Sequence, residues 1–146
     1  MPAGVRASAI DAVSAAIVAV LNVAALRALC PNGVHRGIPR VPSPPFVSVG
    51  RCVERPWDTF AKSFGSLVTV QIRVETSGAD DSGESRAATI LSKVLELLDD
   101  VTHLAVTGWT VHQLAWNETT MDTMTFADGG VGYVGTATIT VAVRSA

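Results

Sequence analysis

From Val68 to Thr76 the chain alternates apolar and polar side chains without a fault. Successive side chains of a strand point to opposite faces. Val68, Val70, Ile72 and Val74 therefore share one face, and Thr69, Gln71, Arg73 and Glu75 the other. This pattern demands a half-buried strand. Phe46-Val47-Ser48-Val49-Gly50 reads as its partner, introduced by Pro44-Pro45, since proline is tolerated at the start of a strand and not in its middle.

The remaining elements follow from periodicity. A chain of 146 residues is long enough to bury one core without metals or disulfides, so a single domain over 1–146 is expected. Ser8 with Asp11 three positions on approximates a capping box, and no strong helix breaker follows before Pro31, so the first helix is expected over 9–29. Residues 31–45 hold five prolines and two glycines, which excludes regular structure and predicts an extended crossing segment. Ala87, Ile90, Leu91, Val94, Leu97, Leu98 and Val101 recur at helical spacing after a cap at Asp81, giving a second helix that lies across the sheet. A third strand is expected over 109–116 and a fourth over 133–143. In the third, Trp109 and Val111 fall on the face opposite Leu114 and Trp116, unless a bulge near His112-Gln113 resets the register; otherwise both faces are covered, one of them by a partner. The expected class is α+β, with a four-stranded antiparallel sheet carrying two helices in the order α-β-β-α-β-β. Long loops are expected over 54–66 and 117–132.

The chemical motifs are weak. Gly130-Val131-Gly132-Tyr133-Val134-Gly135 spells the glycine pattern of dinucleotide-binding turns, but a β-rich run follows where that chemistry needs a helix. His35, His103 and His112 are scattered, and Cys30 with His35 is the one near pair, so no metal site is expected. No serine sits in a nucleophile elbow, and neither cysteine has an evident partner base. No catalytic residue and no cofactor are expected. Cys30 and Cys52 are too few for a disulfide framework and are expected as free thiols. The apolar run over 12–29 is interrupted by Asn22 and Arg27 and fails as a signal peptide or membrane span, so an intracellular product without a membrane partner is expected.

Charge and loop composition are more informative. Residues 27–73 contain seven basic and two acidic residues, whereas 74–146 contain three basic and ten acidic. In a self-assembling subunit, such a split attracts one copy's basic face to its neighbour's acidic face. Trp57, Phe60 and Phe64 in the first loop, and Met121, Met124 and Phe126 in the second, are apolar side chains on polar segments, as expected of docking surfaces.

The order of elements, together with Ile38-Pro39, Pro45-Phe46-Val47-Ser48-Val49-Gly50, Asp58 and Lys62 in the loop, Val70-Gln71-Ile72-Arg73-Val74 and Gly108-Trp109, resembles the tail-completion or tail-terminator proteins of long-tailed bacteriophages and gene-transfer particles. Phe46 stands where that pattern often has tyrosine. The resemblance implies a virion protein that binds and does no chemistry, assembled in the host cytoplasm into a ring, usually hexameric, on the head-proximal end of the tail tube. Such a ring stops tube growth and joins the tail to head-completion or connector proteins, and meets DNA only as it passes through the lumen. On this reading Trp57, Asp58, Phe60, Lys62, Phe64, Met121, Met124 and Phe126 dock the tube or connector, and Arg36, Arg40 and Trp116 serve the ring interface. The alternatives are another head-tail joining protein, of neck or minor tail type, and a small ligand-binding or enzymatic α+β domain with a pocket under the second helix.

Overall fold

The computed structural model describes residues 7–37, 44–57, 65–77, 83–99, 104–125 and 130–145. In chain order the elements are α1 (Ile10–Leu21), α2 (Ala24–Leu29), β1 (Val34–Arg36), β2 (Phe46–Pro56), β3 (Gly65–Ser77), α3 (Gly83–Leu98), β4 (Trp109–Thr125) and β5 (Val131–Ser145). The strands form one five-stranded sheet in the order β1-β2-β3-β5-β4. β1 runs parallel to β2, and the other three pairings are antiparallel.

This corrects the four-stranded antiparallel α-β-β-α-β-β expectation in two places. The proline count over 31–45 hid a proline-free triplet, Val34-His35-Arg36, flanked by Gly33 and Gly37 at φ 87° and 77°. These two left-handed positions turn the backbone onto and off the edge of β2, and glycine adopts them without steric cost. Val47 N–H donates to Gly33 O at 3.0 Å, and Gly37 N–H donates to Val49 O at 2.8 Å. The second correction is the first helix, which breaks at Asn22-Val23, where Val23 is extended at φ −118° and ψ 159°. A continuous helix would place Leu26 about 140° around the axis from Leu21, off the buried stripe. With the break, both are fully buried. Asparagine, which competes for backbone hydrogen bonds, and β-branched valine both weaken a helix at that point.

The Ser8–Asp11 cap is also replaced. Ala9 takes the N-cap position without a side-chain cap bond, and locally Ser8 Oγ accepts the Ile10 N–H at 3.3 Å. Glu54 from β2 accepts the Ala9 N–H at 2.7 Å, and Asp11 accepts from Arg36 at 2.6 Å. Glu54 thus adds a long-range acceptor beside the local Ser8 contact, and both long-range bonds tie α1 to the β1-β2 edge.

The helices cover one face of the sheet, with α1 on β2, α3 on β3 and β5, and α2 against α3. Val68, Val70, Ile72 and Val74 of β3 meet Ala137, Ile139, Val141 and Val143 of β5 beneath them, all fully buried. The alternation expected in both strands is present. So is the bulge in β4: the register shifts between Val111 and Gln113, placing Val111 opposite Val143 and Leu114 opposite Val141 on the helix-covered face. A second shift between Trp116 and Glu118 carries β4 on to Thr125, through residues expected as loop.

Candidate interaction surfaces

β4 is the last strand of the sheet, and α3 lies over β3 and β5, so the apolar face of β4 overhangs the helix layer. Trp116 stands there, 61% exposed, opposite the buried Ile139. Its indole N–H donates to Thr119 Oγ1 at 2.7 Å, leaving the ring faces without a polar demand. With Leu114, Ile139 and Leu95 it lines a groove of about 310 Å³ whose rim carries Glu96 and Asp99. The exposure of Trp116 therefore comes from the overhang; the register puzzle in β4 is solved by the bulge alone.

The opposite edge is built of β1 and the part of β2 beyond it. β1 pairs with β2 only at Val47, Ser48 and Val49, so β2 is open from Gly50 onward. Arg36, Arg51 and Arg55 are exposed on this edge, whereas Glu118 and Asp122 are exposed on β4. Part of the sequence's charge split thus falls on opposite edges of one sheet, with these arginines on one and these carboxylates on the other. Arg36 is held by Asp11 in an ion pair whose side chains are 46% and 87% exposed, a type that contributes about 0–1 kcal/mol and leaves the arginine available. Arg40, assigned to the same interface, lies outside the described residues.

Trp57 and Met124, one from each expected docking region, fall at opposite ends of the strands. Trp57 N–H donates to Gly65 O at 2.9 Å, closing the β2-β3 hairpin at the end where Gly65 pairs with Arg144. At that hairpin base the Trp57 carbonyl occupies the space a Cβ on Gly65 would need, so only glycine fits. Trp57 is half-buried, and its ring meets His112 edge-on at 5.5 Å. Asp58, Phe60, Lys62 and Phe64 lie outside the described residues. Met121 and Met124 stand on β4 itself, toward the end where Thr125 pairs with Val131, and Phe126 lies outside the described residues. Met121 is half-buried on the helix face, its thioether within 3.7 Å of the position a Cβ on Gly135 would take. It is in part a packing residue.

Arg51 and Glu118 had no assigned role in the sequence. Gly50 offered a hint of the first, since a glycine inside a strand pattern often marks a bulge, and the register does shift between Gly50 and Cys52. The threonines over 119–125 hinted that β4 continues, since threonine favours strands.

The glycine pattern at 130–135 leads into β5, a strand, so it lacks the helix N-terminus that phosphate binding requires. Cys30 and Cys52 are both free. Cys30 is fully buried, and burial raises its thiol from 9.0 to about 11, against a smaller lowering by Arg86. Because the thiolate is the nucleophile, iodoacetamide at pH 8 is expected to spare Cys30 in the folded protein and to modify it in urea, as mass spectrometry would read. A raised pKa favours the neutral thiol in the folded state. Its contribution to stability is fully present below pH about 9 and is lost as pH rises through about 11. Alkylation of Cys30 in the native protein at pH 8 would contradict its burial.

A family model described as "Tail completion protein gp17" matches residues 12–144. No curated protein matches the sequence. Among solved structures, a chain in "Virion of native gene transfer agent (GTA) particle" superposes with a TM-score of 0.73, covering 94% of this chain and 99% of that chain at 18% identity. That likeness is one of fold.

Proposed function

The chain belongs to the tail completion protein gp17 family and is a structural protein of the virion tail, and on that premise we propose that it assembles head-to-tail into a closed ring, usually hexameric in such systems. The ring caps the head-proximal end of the tail tube, stops its growth and joins it to a head-completion protein. The observation that carries this reading is the placement of the two edges. The basic β1-β2 edge and the acidic, Trp116-bearing β4 edge lie at opposite sides of one sheet, so they meet only between copies. A heterologous contact of this kind closes into a ring when its rotation allows. Arg36 and Arg40 serve one side of that contact and Trp116 the other.

The positions of the hairpins extend the reading. Trp57, at the base of the β2-β3 hairpin, and Met124, near the far end of β4, are separated by the length of the strands. A ring whose strands run along its axis offers one region to the tube and the other to the connector. The function is binding, and DNA is met only in the lumen.

Size-exclusion chromatography with light scattering, followed by negative-stain microscopy, tests the ring. A protein monomeric at every concentration up to the millimolar range would overturn it. Adding the protein to polymerising tail tubes tests termination: shortened tubes are expected, and unchanged tube lengths beside an intact ring would favour a neck or minor tail role instead.

A further inference from the structure

On the sheet face away from the helices, a cavity of about 430 Å³ is lined by Gly37, Ser48, Gly50, Arg51, Gln71 and Arg73. Arg51 is the extra residue at the β2 bulge and holds φ 40°, a left-handed conformation that a side-chain-bearing residue adopts at a cost. Such strain clusters at functional positions. Among the described residues the Arg51 side chain has no hydrogen-bond or ion-pair partner. Arg73 Nη2 donates to Glu75 Oε1 at 3.0 Å, and the Glu75 side chain is 9% exposed. Arg73 Nε is the one buried side-chain nitrogen or oxygen without a partner among the described residues. Two guanidinium groups against one carboxylate leave the cavity with a single uncompensated positive charge. A buried donor without an acceptor is unfavourable unless a ligand supplies one, and the guanidinium fork suits the two oxygens of a carboxylate.

We propose that this cavity is a carboxylate-binding site and that its occupant is Glu118 of a second copy. The proposal rests on the ring reading above and names the polar half of its interface. The Glu118 side chain is exposed and has no hydrogen-bond or ion-pair partner among the described residues. It pairs in register with Thr138, Thr138 with Gln71, and Gln71 with Gly50, so one row crosses the sheet from the cavity to Glu118. A neighbour set beside β4 in the same orientation brings its own Gly50-Arg51 to that row. β4 and β2 run antiparallel to each other through the intervening strands, so the two free edges meet in a pairing that sheets accept. Trp116 on the helix-side face and Glu118 on the other then grip the same neighbour.

Charge exchange in the full chain tests this, with association followed by sedimentation equilibrium. Arg51→Glu and Glu118→Arg are each expected to weaken association by at least about tenfold, and the double variant to recover most of the loss, as coupled charge pairs do. Arg51→Gly separates folding from binding. It relieves the left-handed strain, so its melting temperature is expected to match or exceed that of the parent while association weakens. Single and double variants that associate like the parent, in a protein that still forms rings, would overturn the proposal and leave the ring standing. A parent that forms no ring would remove both. Arg51→Glu rings that assemble normally but lose duplex-DNA binding would assign the cavity to phosphate and overturn the Glu118 assignment.

Discussion

Trp116→Ala is expected to leave the protomer folded and to collapse the ring. At 61% exposure the indole contributes little to the protomer, and surface truncations of this kind shift stability by about 0.5 kcal/mol. Its hydrogen bond to Thr119 is local and exposed, so water replaces it on truncation. In an interface the same side chain behaves differently. A tryptophan that fills a groove and is desolvated by its partner typically contributes at least about 2 kcal/mol, or roughly 30-fold in affinity. The loss recurs at every interface of a closed ring. Circular dichroism should therefore show an unchanged fold, while light scattering at the same concentration shows protomers. Rings that survive the substitution at concentrations near the parent's dissociation threshold would place the interface elsewhere.

Ile72→Ala acts on the opposite term. Ile72 is fully buried on β3, the middle strand of the sheet, where it pairs with Val49 of β2 and Ala137 of β5 beneath the helices. Truncating a buried isoleucine loses transfer free energy and leaves a void that close-packed neighbours fill only in part, at a cost of about 2–5 kcal/mol. For a chain of this size, that lowers the melting temperature by about 5–15 °C. Urea denaturation should show the midpoint falling with little change in slope. Gln71→Ala, one residue away on the polar face, is half-buried and should cost far less. Equal losses at the two positions would contradict the sidedness of β3.

The elements legible in the sequence were those whose own side chains report their surroundings. β3, β5 and α3 each bury one face throughout, so periods of two and of 3.6 residues stand out. The β4 bulge was legible because Leu114 and Trp116 fell out of phase with Trp109 and Val111. What was illegible depended on neighbours far along the chain. β1 is three residues long and exists because β2 offers it an edge. The break at Asn22-Val23 follows from where the core needs Leu26, and Glu54 satisfies the start of α1 from 45 residues away. The far half of β4 looked like a loop because an edge strand overhanging its helix layer has no buried face to make the pattern alternate.

The candidate surfaces divide along the same line. Composition alone exposed the basic and acidic halves, the aromatic loop and the absence of a catalytic motif, since these are sums and local spacings. Tertiary structure decided that Arg36, Arg51 and Arg55 stand on one edge of the sheet and Glu118 and Asp122 on the other, that Trp57 and Met124 stand at opposite ends of the strands, and that Arg51, Arg73 and Ser48 share a cavity. The physical reason is that sheet order and register are set by pairing between strands distant in sequence, such as β3 with β5. By itself, the alternating run in β3 determined that there would be a sheet with one buried face. Which side chains stand together on its exposed face, and which edge each charge occupies, was decided only when the strands took their places beside it.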